Sequence, residues 1–377
     1  MRVGLNLLFL VPGETGGRET YARELIPKMV ELSDDVEFIG FANSRAAPQL
    51  RHELDGALRL IRLPVDVSNR PAWAAGELVS IPAAAAHQRV DILHSLANFG
   101  PAAGPFKSVL TVHDAHRHDL AAPGSVSPAR QAIIDRMMRA AARKATRVIA
   151  VSRAGRDEIC EHMALTPAKV DVTPLGFGRV RKHGRRSPEE TRAEFRLTGR
   201  RVGLSVATNL PHKNLAAGIV ALAEIPADRR PVLVLAGLGT DARELHEAAA
   251  AACVTDDVRL VGYCDDETLE DLFGVTDLIL LPTLYEGFGL PVLEAMARGI
   301  PVACSDIPVL REVAGANALF FDPRSPVDIA GEIDRLLGDG QLHETLAANG
   351  VAHARSFTWT RTAELTLRSY ERAAGRT

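Results

Sequence analysis

Short apolar runs alternate along the chain with longer amphipathic stretches. In the first half, the apolar runs are rich in Val, Ile and Leu and show no alternation with polar residues. Such runs are typical of strands that are buried on both faces of a parallel sheet. The strands predicted in this half cover residues 3–9, 36–41, 57–63, 91–94, 108–113 and 148–151.

Helical spacing occurs between these runs. Tyr21, Leu25, Met29 and Leu32 recur three or four residues apart and predict a helix, which Pro27 should kink. A second series of predicted strands covers residues 202–207, 231–236, 258–260, 277–281, 301–304 and 318–321. Alternating strands and helices imply right-handed parallel units. The pattern therefore predicts an α/β fold with two doubly wound, Rossmann-like parallel-sheet domains.

The alternation of apolar and amphipathic segments is interrupted between the two series of predicted strands. This interruption indicates where the domain boundaries lie. Residues 179–199 are polar and basic, which predicts a linker containing a short helix. We expect one domain at residues 1–178 and another at residues 200–358. Ligands of such sheets bind outside the carboxyl ends of the strands, so we expect the site in a cleft between two facing domains.

Composition narrows the functional classes. The 377 residues suit two domains of roughly 150 residues or more. A net charge of −3 provides no general positive field for nucleic acid. The four cysteines are widely spaced, which suits a reducing compartment. No apolar run reaches the ~18–20 residues of a membrane span, and the first run is interpreted as a strand and not as a signal peptide. We expect a cytoplasmic protein.

The strongest motif is the segment P-T-L-Y-E-G-F-G-L-P-V-L-E-A-M at residues 282–296. An apolar strand ends at its start, a turn with Gly287 and Gly289 follows, and a helix opens near Pro291. A helix start that follows glycines presents backbone N–H groups and a positive dipole end, which suits a phosphate. Glu286 and Glu294 flank the turn, so both carboxylates can point into one cleft. The alternative is a plain glycine-rich loop.

This segment resembles the signature of the family-4 retaining glycosyltransferases of the GT-B fold, in which two glutamates flank G-F-G-L-P. Weaker matches follow the family's order along nearly the whole chain. They are Gly16-Gly17, Val112-His113-Asp114, Val151-Ser152, Pro174-Leu-Gly176, Pro211-His-Lys213-Asn, Val261-Gly262-Tyr263 and Phe357-Thr-Trp359. The resemblance implies an acceptor-side first domain, a nucleotide-sugar-binding second domain and a last helix, about 359–377, that packs back on the first.

The resemblance also implies roles for individual residues. Glu294 would bind the donor's ribose hydroxyls, and Glu286 would orient the hexose and stabilise positive charge at its anomeric carbon. The catalytic set would be Glu286, Lys213 and His113, with the histidine beside the donor sugar. The donor-binding set would be Glu294, Gly287, Phe288, Gly289, Leu290, Thr208, Gly16, Gly17 and Tyr263.

Physical chemistry alone, without the family resemblance, also suggests roles for Lys213, Gly16 and Gly17. Lys213 follows a predicted strand at the start of a helix, where its charge can neutralise a departing diphosphate. Thr208 stands where the family often has an arginine, which weakens the second positive contact. Gly16 and Gly17 would let the backbone approach a diphosphate or an acceptor. The alternatives are a solvated lysine and a plain strand-to-helix turn.

Other chemistries are less well supported. Residues 237–242 match the G-x-G-x-x-A dinucleotide fingerprint, but the next strand offers no acidic residue for a ribose. His113, His116 and His118 lack a fourth ligand at zinc-site spacing. No Asp-x-Asp occurs. We expect no metal and no cofactor.

A basic stripe suggests a peripheral contact with the inner face of a membrane. Arg136, Arg139, Arg143 and Arg147 are three or four residues apart and could share a helix face. With residues 179–186 they could reach anionic lipid headgroups. The alternative is a solvated helix face.

These observations predict a metal-independent retaining hexosyltransferase. It would use GDP-mannose or a UDP-hexose, and a saccharide, glycolipid or small-molecule acceptor, in cell-surface polysaccharide or glycolipid synthesis. A sugar-nucleotide epimerase or a phosphorylase of the same fold and a non-catalytic nucleotide-sugar-binding module are the alternatives.

Overall fold

The computed structural model describes residues 1–54, 58–115, 128–178, 184–237 and 242–375. The described chain forms two compact units. The first comprises residues 1–115, 128–178 and 358–375, and the second comprises residues 184–237 and 242–357. The first unit is thus built from chain segments on both sides of the second.

The first unit is built on a seven-stranded parallel sheet with the order β3-β2-β1-β4-β5-β6-β7. Its strands are β1 (Arg2–Leu7), β2 (Glu37–Ala42), β3 (Arg59–Arg62), β4 (Ile92–Ser95), β5 (Lys107–Val112), β6 (Arg147–Ala150) and β7 (Val170–Val172). Its first helices are α1 (Gly17–Glu31), α2 (Ala47–Glu53), α3 (Arg70–Ala75), α4 (Ile81–His87), α5 (Pro128–Lys144) and α6 (Arg153–Met163). One π-helical turn, Gly76–Ser80, joins α3 to α4.

The second unit is built on a six-stranded parallel sheet with the order β10-β9-β8-β11-β12-β13. Its strands are β8 (Val202–Val206), β9 (Val232–Ala236), β10 (Val258–Gly262), β11 (Leu278–Leu281), β12 (Val302–Ser305) and β13 (Leu319–Phe321). Its helices are α7 (Pro188–Glu194), α8 (Leu215–Leu222), α9 (Ala242–Ala251), α10 (Asp266–Phe273), α11 (Leu290–Ala297), α12 (Pro308–Ala314), α13 (Pro326–Gly338) and α14 (Gly340–Ala354).

The prediction of two doubly wound parallel sheets is confirmed. Each predicted strand has a counterpart within a few residues, although Ala57 lies outside the described residues. The reason is burial: every residue of β1 from Val3 to Leu7 is buried, so the run shows no polar alternation. Each sheet also reverses its strand order beside its first strand, between β1 and β4 and between β8 and β11. These are the switch points at which such sheets bind ligands.

Helix α1 matches the predicted apolar spacing only in part. Tyr21, Leu25 and Met29 are buried, and the helix continues through Pro27. Leu32 is the residue that follows the helix, and 41% of it is exposed. The predicted helical spacing therefore extends one residue past the helix, whose last residue is Glu31.

The final helix, α15 (Trp359–Ala374), belongs to the first unit and packs against α1. Its Tyr370 hydroxyl lies 2.7 Å from Nδ1 of the buried His94, whose Nε2 lies 2.8 Å from the Thr111 hydroxyl. The Tyr21 hydroxyl of α1 lies 3.1 Å from the same Thr111 oxygen. This buried polar chain ties α15 to the sheet and to α1, since each group satisfies a neighbour that would otherwise be desolvated without a partner.

Every helix among the described residues is too short or too polar to span a lipid bilayer.

Candidate active site

The site is built at the switch point of the second sheet. Lys213 lies in the loop that follows β8, and Glu286 lies in the loop that follows β11. These strands are neighbours in a parallel sheet, so their carboxyl ends bring the two loops to one edge.

Backbone contacts fix the lysine loop. Pro211–Lys213 forms a 3₁₀ turn, and Asn214 takes the left-handed conformation with φ 54° before α8 begins. The Asn214 side-chain amide donates to the Pro282 carbonyl at 3.0 Å and to the Pro323 carbonyl at 2.8 Å. The lysine loop is therefore joined to the loops that follow β11 and β13.

A second set of hydrogen bonds joins the lysine loop to the glutamate loop. The buried Thr283 hydroxyl lies 2.9 Å from the His212 carbonyl and 2.8 Å from the Tyr285 carbonyl. The Leu284 amide donates to the His212 carbonyl at 2.7 Å. These contacts hold the residues directly before Lys213 and Glu286 at fixed positions.

Lys213 and Glu286 contact each other directly. The Lys213 ammonium Nζ lies 2.6 Å from Glu286 Oε1, and the two side chains are 19% and 11% exposed. A charge-assisted hydrogen bond with this little exposure is stronger than a surface ion pair. The pair neutralises both groups, and an incoming diphosphate would compete with Glu286 for the lysine.

Helix α11 begins directly after the glutamate loop. Gly289 precedes it with φ 96°, and a Cβ there would lie 2.6 Å from Cδ2 of Leu310. Only glycine fits this backbone conformation and this space. Phe288 is buried, and its ring lies 6.2 Å from that of Phe357. The turn thus fixes where α11 begins, at Leu290, shortly after Glu286 in the chain. The N–H groups of its first turn suit a phosphate.

Glu294 lies on the second turn of α11 and is half-buried. Burial raises the pKa of its carboxyl group; Arg298 opposes that shift, and Glu270 and Asp266 add to it. The Arg298 guanidinium donates to the Glu294 carbonyl at 2.7 Å and pairs with Glu270, with Nε 3.0 Å from Oε2. Glu294 thus shares its neighbourhood with two other acids, and its carboxyl is suited to hydrogen bonds with neutral hydroxyl groups.

The two remaining predicted donor-binding residues of the second unit, Thr208 and Tyr263, make no described contact with the Lys213–Glu286 pair. Thr208 is half-buried in the loop after β8, where its carbonyl accepts from the Leu210 amide at 2.8 Å. Tyr263 follows β10, which β9 separates from β8, and it is 62% exposed.

His113, Gly16 and Gly17 belong to the first unit. His113 is buried, with Nε2 2.8 Å from the Leu96 carbonyl and its ring 4.8 Å from that of Tyr21. A carbonyl only accepts hydrogen bonds, so Nε2 carries the proton and Nδ1 is the acceptor. Burial lowers the pKa of His113 to about 4, so the ring is neutral at pH 7. Gly16, with φ 60°, precedes α1, which begins at Gly17.

The predicted basic stripe lies only partly on one helix. Helix α5 ends at Lys144, so Arg147 lies in β6, and the prediction that it shares the helix face is wrong. Its Nε instead donates to Asp171 Oδ2 at 3.0 Å. The members of the predicted stripe that α5 does carry are Arg136, Arg139 and Arg143.

Two alternatives fall partly outside the described residues. These are the possible histidine cluster, of which His116 and His118 are not described, and the G-x-G-x-x-A match, of which residues 238–241 are not described. Within the described ranges, no group of three His, Cys, Asp or Glu side chains is arranged to hold a metal ion.

No individual role was predicted for Asn214, Thr283 or Arg298. Asn214 had a signal, because asparagine is enriched at positive φ and here separates a lysine from a helix. Thr283 and Arg298 had none, since their partners are backbone groups or an acid elsewhere in the chain.

Two family models match the chain. "Glycosyltransferase Family 4" matches residues 15–178, and "Glycosyl transferases group 1" matches residues 187–353. The two models together match most of the chain, which belongs to the family-4-like glycosyltransferases. The boundary between the matches falls beside the boundary between the two units of this glycosyltransferase.

Several of its curated relatives are mannosyltransferases at modest identity. The O-antigen chain mannosyltransferase B of Escherichia coli is 29% identical over 59% of the chain and 60% of its own length. The MMP alpha-(1->4)-mannosyltransferase of Mycolicibacterium hassiacum is 26% identical over 100% of the chain and 99% of its own length. The chain also matches 29% of the length of the serotype-specific mannosyltransferase WbdA of Escherichia coli.

Solved structures share the fold of the glycosyltransferase. The sucrose-phosphate synthase of Thermosynechococcus elongatus is 20% identical, with a TM-score of 0.78 and full coverage of both chains. Anabaena Alr3699/HepE, solved with UDP and glucose, is 19% identical, with a TM-score of 0.74 over 98% of this chain and 99% of its own. With its two parallel sheets, the glycosyltransferase has the GT-B fold.

Proposed function

We propose that the protein transfers a hexose from a nucleotide-diphosphate sugar to a hydroxyl acceptor, with retention of the anomeric configuration and without a metal ion. The observation that carries the proposal is the Lys213–Glu286 ion pair at the switch point of the second sheet. In this proposal the ammonium group binds the diphosphate, and the carboxylate beside it stabilises the developing sugar cation.

In the proposed reaction, the diphosphate binds the start of α11 and replaces Glu286 as the ion-pair partner of Lys213. The lysine stabilises the leaving diphosphate as the bond from its oxygen to the anomeric carbon breaks. Glu286, released from the ammonium group, stabilises positive charge at that carbon. The acceptor oxygen forms its bond on the same face, and a phosphate oxygen takes its proton. Glu294 holds the ribose hydroxyls.

The names of similar proteins support the choice of donors. The curated relatives described above are mannosyltransferases, and one solved structure holds UDP and glucose. We therefore propose GDP-mannose or a UDP-hexose as the donor. We propose a saccharide, glycolipid or small-molecule acceptor in cell-surface polysaccharide or glycolipid synthesis.

A radiolabelled donor panel tests this function. The protein is incubated with GDP-mannose, UDP-glucose and UDP-galactose, with and without a mixed acceptor extract, and in the presence or absence of EDTA. We expect transfer from one donor, an unchanged rate in EDTA, and an NMR anomeric coupling in the product that matches the donor. Transfer that EDTA abolishes and Mn²⁺ restores refutes metal independence, and an inverted product refutes retention.

The same panel separates the alternative functions. An epimerase changes the sugar of the donor in the absence of any acceptor. A non-catalytic binding module binds a donor but gives no turnover with any acceptor. Either result would overturn the proposed transferase.

We also propose a cytoplasmic location with peripheral membrane contact through Arg136, which is exposed on α5, together with Arg139. Co-sedimentation with vesicles that contain anionic lipid tests this contact. Binding that is unchanged in a variant with both arginines replaced by glutamine counts against it.

A further inference from the structure

The π-helical turn of the first unit inverts the usual arrangement of polar and apolar side chains. Glu77 is 2% exposed, whereas its neighbours Leu78 and Val79 are 53% and 65% exposed. A buried carboxyl beside two exposed aliphatic side chains costs stability in both places. Sites that break such local rules are often functional, and π-helical turns are frequent at functional sites.

Close packing holds this turn against the sheet. A Cβ on Gly76 would lie 2.8 Å from Leu8 Cδ2 and 2.9 Å from Val65 Cγ1, so even alanine there would require these side chains to shift. The Asn6 side-chain amide of β1 donates to Glu77 Oε2 at 2.7 Å. It also lies 3.3 Å from the Ser95 hydroxyl at the end of β4. Glu77 is therefore held at the switch point of the first sheet, between β1 and β4.

A cavity of about 230 Å³ opens beside Glu77. Its walls are mainly apolar and include Leu78, Phe99, Ile133 and Met137. Among the described residues that line it, Arg136 is the only charged side chain besides Glu77. While Oε2 accepts from Asn6, Oε1 has no hydrogen-bond partner among the described residues. One carboxyl oxygen at the cavity wall is thus left for a ligand.

The size and chemistry of the cavity restrict the ligand. An apolar cavity of about 150 Å³ can hold benzene, so this one holds a ring with a short substituent. Burial raises the pKa of Glu77 to about 8, against the Asn6 hydrogen bond, so at pH 7 the group is mostly a neutral acid. A neutral acid can donate to and accept from a hydroxyl group. Arg136 disfavours a cation.

We propose that this cavity binds an apolar, hydroxyl-bearing group of the glycosyl acceptor, with Glu77 hydrogen-bonded to the hydroxyl; the identification of the ligand as acceptor rests on the proposed function. The acceptor is then a molecule with a hydrophobic aglycone and not a wholly polar saccharide. Ile133, which is 61% exposed, and Leu78 extend the apolar surface beyond the cavity.

Saturation-transfer NMR on the full chain at pH 7 tests the site, with benzyl alcohol, toluene and benzylammonium as probes. We expect benzyl alcohol to bind about three- to tenfold more tightly than toluene, as suits one neutral hydrogen bond, and benzylammonium to bind most weakly. Glu77→Leu should abolish the advantage of benzyl alcohol, and Glu77→Gln should restore most of it. Equal affinities of the alcohol and toluene for the wild type overturn the hydroxyl contact.

Two further variants locate the binding. Ala140→Trp adds bulk at an exposed position of the cavity wall, where the core is not disturbed, and should abolish binding of benzyl alcohol. Lys213→Ala, in the other unit, should leave that binding unchanged. Binding that survives Ala140→Trp in a folded protein overturns the assignment to this cavity.

The failures of the two proposals remain distinguishable. If hexose transfer occurs but benzyl alcohol does not bind, the cavity proposal is wrong and the transferase stands. If benzyl alcohol binds as expected but no donor supports transfer, the site exists and its ligand is not a glycosyl acceptor.

Discussion

Lys213 and Glu286 each determine what the other can do. In the absence of donor, their contact at 2.6 Å keeps each charge compensated in a largely buried place. Removal of either partner leaves the other uncompensated, which alters both the free protein and its complex with donor. Their effects on activity should therefore be less than additive in a double-mutant cycle.

Replacement of Lys213 by alanine should remove most turnover. Loss of one preorganised electrostatic contact typically costs ~2.7–4 kcal/mol in the transition state, or about 10²–10³ in rate. Steady-state kinetics on the preferred donor provide the measurement, with Lys28→Ala, a partly exposed lysine on α1, as the matched control. A Lys213→Ala enzyme that keeps more than half of the wild-type kcat/KM would refute the role.

Glu294→Gln should weaken nucleotide binding while it stabilises the folded protein. The substitution removes a carboxyl whose pKa is raised by burial and by Glu270 and Asp266, so it should stabilise the free protein at pH 8. It should also weaken the binding of a nucleoside diphosphate, because an amide accepts fewer hydrogen bonds from a ribose diol. Calorimetric unfolding and titration calorimetry measure the two effects. Glu286→Gln, as the comparison, should not weaken affinity for the sugar-free nucleotide, because Lys213 is then released from its carboxylate partner and can bind the diphosphate.

For single residues, the sequence predicts those that lie in a recognisable motif, but it does not predict which side chains they contact. The glutamates and Lys213 are visible because glycine, proline and strand context surround them. The Lys213–Glu286 contact spans 73 positions and depends on which strands are neighbours, which no local pattern specifies. Glu77 has no motif at all, since its burial follows from a single π-helical turn.

Among the elements, α11 depends most directly on one residue. Gly289→Ala would place a Cβ 2.6 Å from Leu310 at a φ of 96°. We expect a loss of ~1–3 kcal/mol in the free energy of unfolding from the backbone conformation, with weaker donor binding as the start of α11 shifts.

Gly331→Ala is the matched control. Gly331 lies inside α13, where a Cβ would have no atom within 4 Å. This substitution should stabilise the protein by ~0.5–1 kcal/mol, through helix propensity. Differential scanning calorimetry measures both variants. Equal thermal midpoints for the two would contradict the steric argument at Gly289.

Buried strands could be predicted and short or irregular elements could not. A strand with both faces covered, such as β1, appears in the sequence as an uninterrupted apolar run. β7 covers only three residues. Its central residue is Asp171, an acid that pairs with Arg147 and Arg372. The sequence therefore contains no apolar run from which this strand could be predicted. The π-helical turn keeps helical composition and differs from an α-helix only in its hydrogen-bond register.

For the molecule as a whole, buried ionisable groups make stability depend on pH in opposite directions. The pKa of Glu77 is raised from 4.5 to about 8, so the folded state holds the extra proton and stability falls as pH rises between these values. The pKa of His94 is lowered from 6.5 to about 3 by burial, so its contribution is lost as pH falls through that window.

Glu77→Gln should therefore flatten the alkaline side of the stability profile. The wild type should lose up to ~1.4 kcal/mol per pH unit relative to the variant between pH 5 and 8. The two tryptophans, Trp73 and Trp359, both lie in the first unit, so their fluorescence during urea unfolding reports that unit. Parallel profiles for wild type and variant would show that Glu77 ionises in the folded protein as it does in the unfolded chain.

The return of α15 to the first unit has a consequence for synthesis on the ribosome. A nascent chain usually completes its domains in order from the N-terminus. Here the surface of α1 that carries Tyr21 and Met29 has no covering helix until residues 359–374 emerge, after every strand of the second unit. The second unit is thus the first that can complete its fold. Until α15 is synthesised, the first unit exposes the apolar face of α1, which is a surface that chaperones bind.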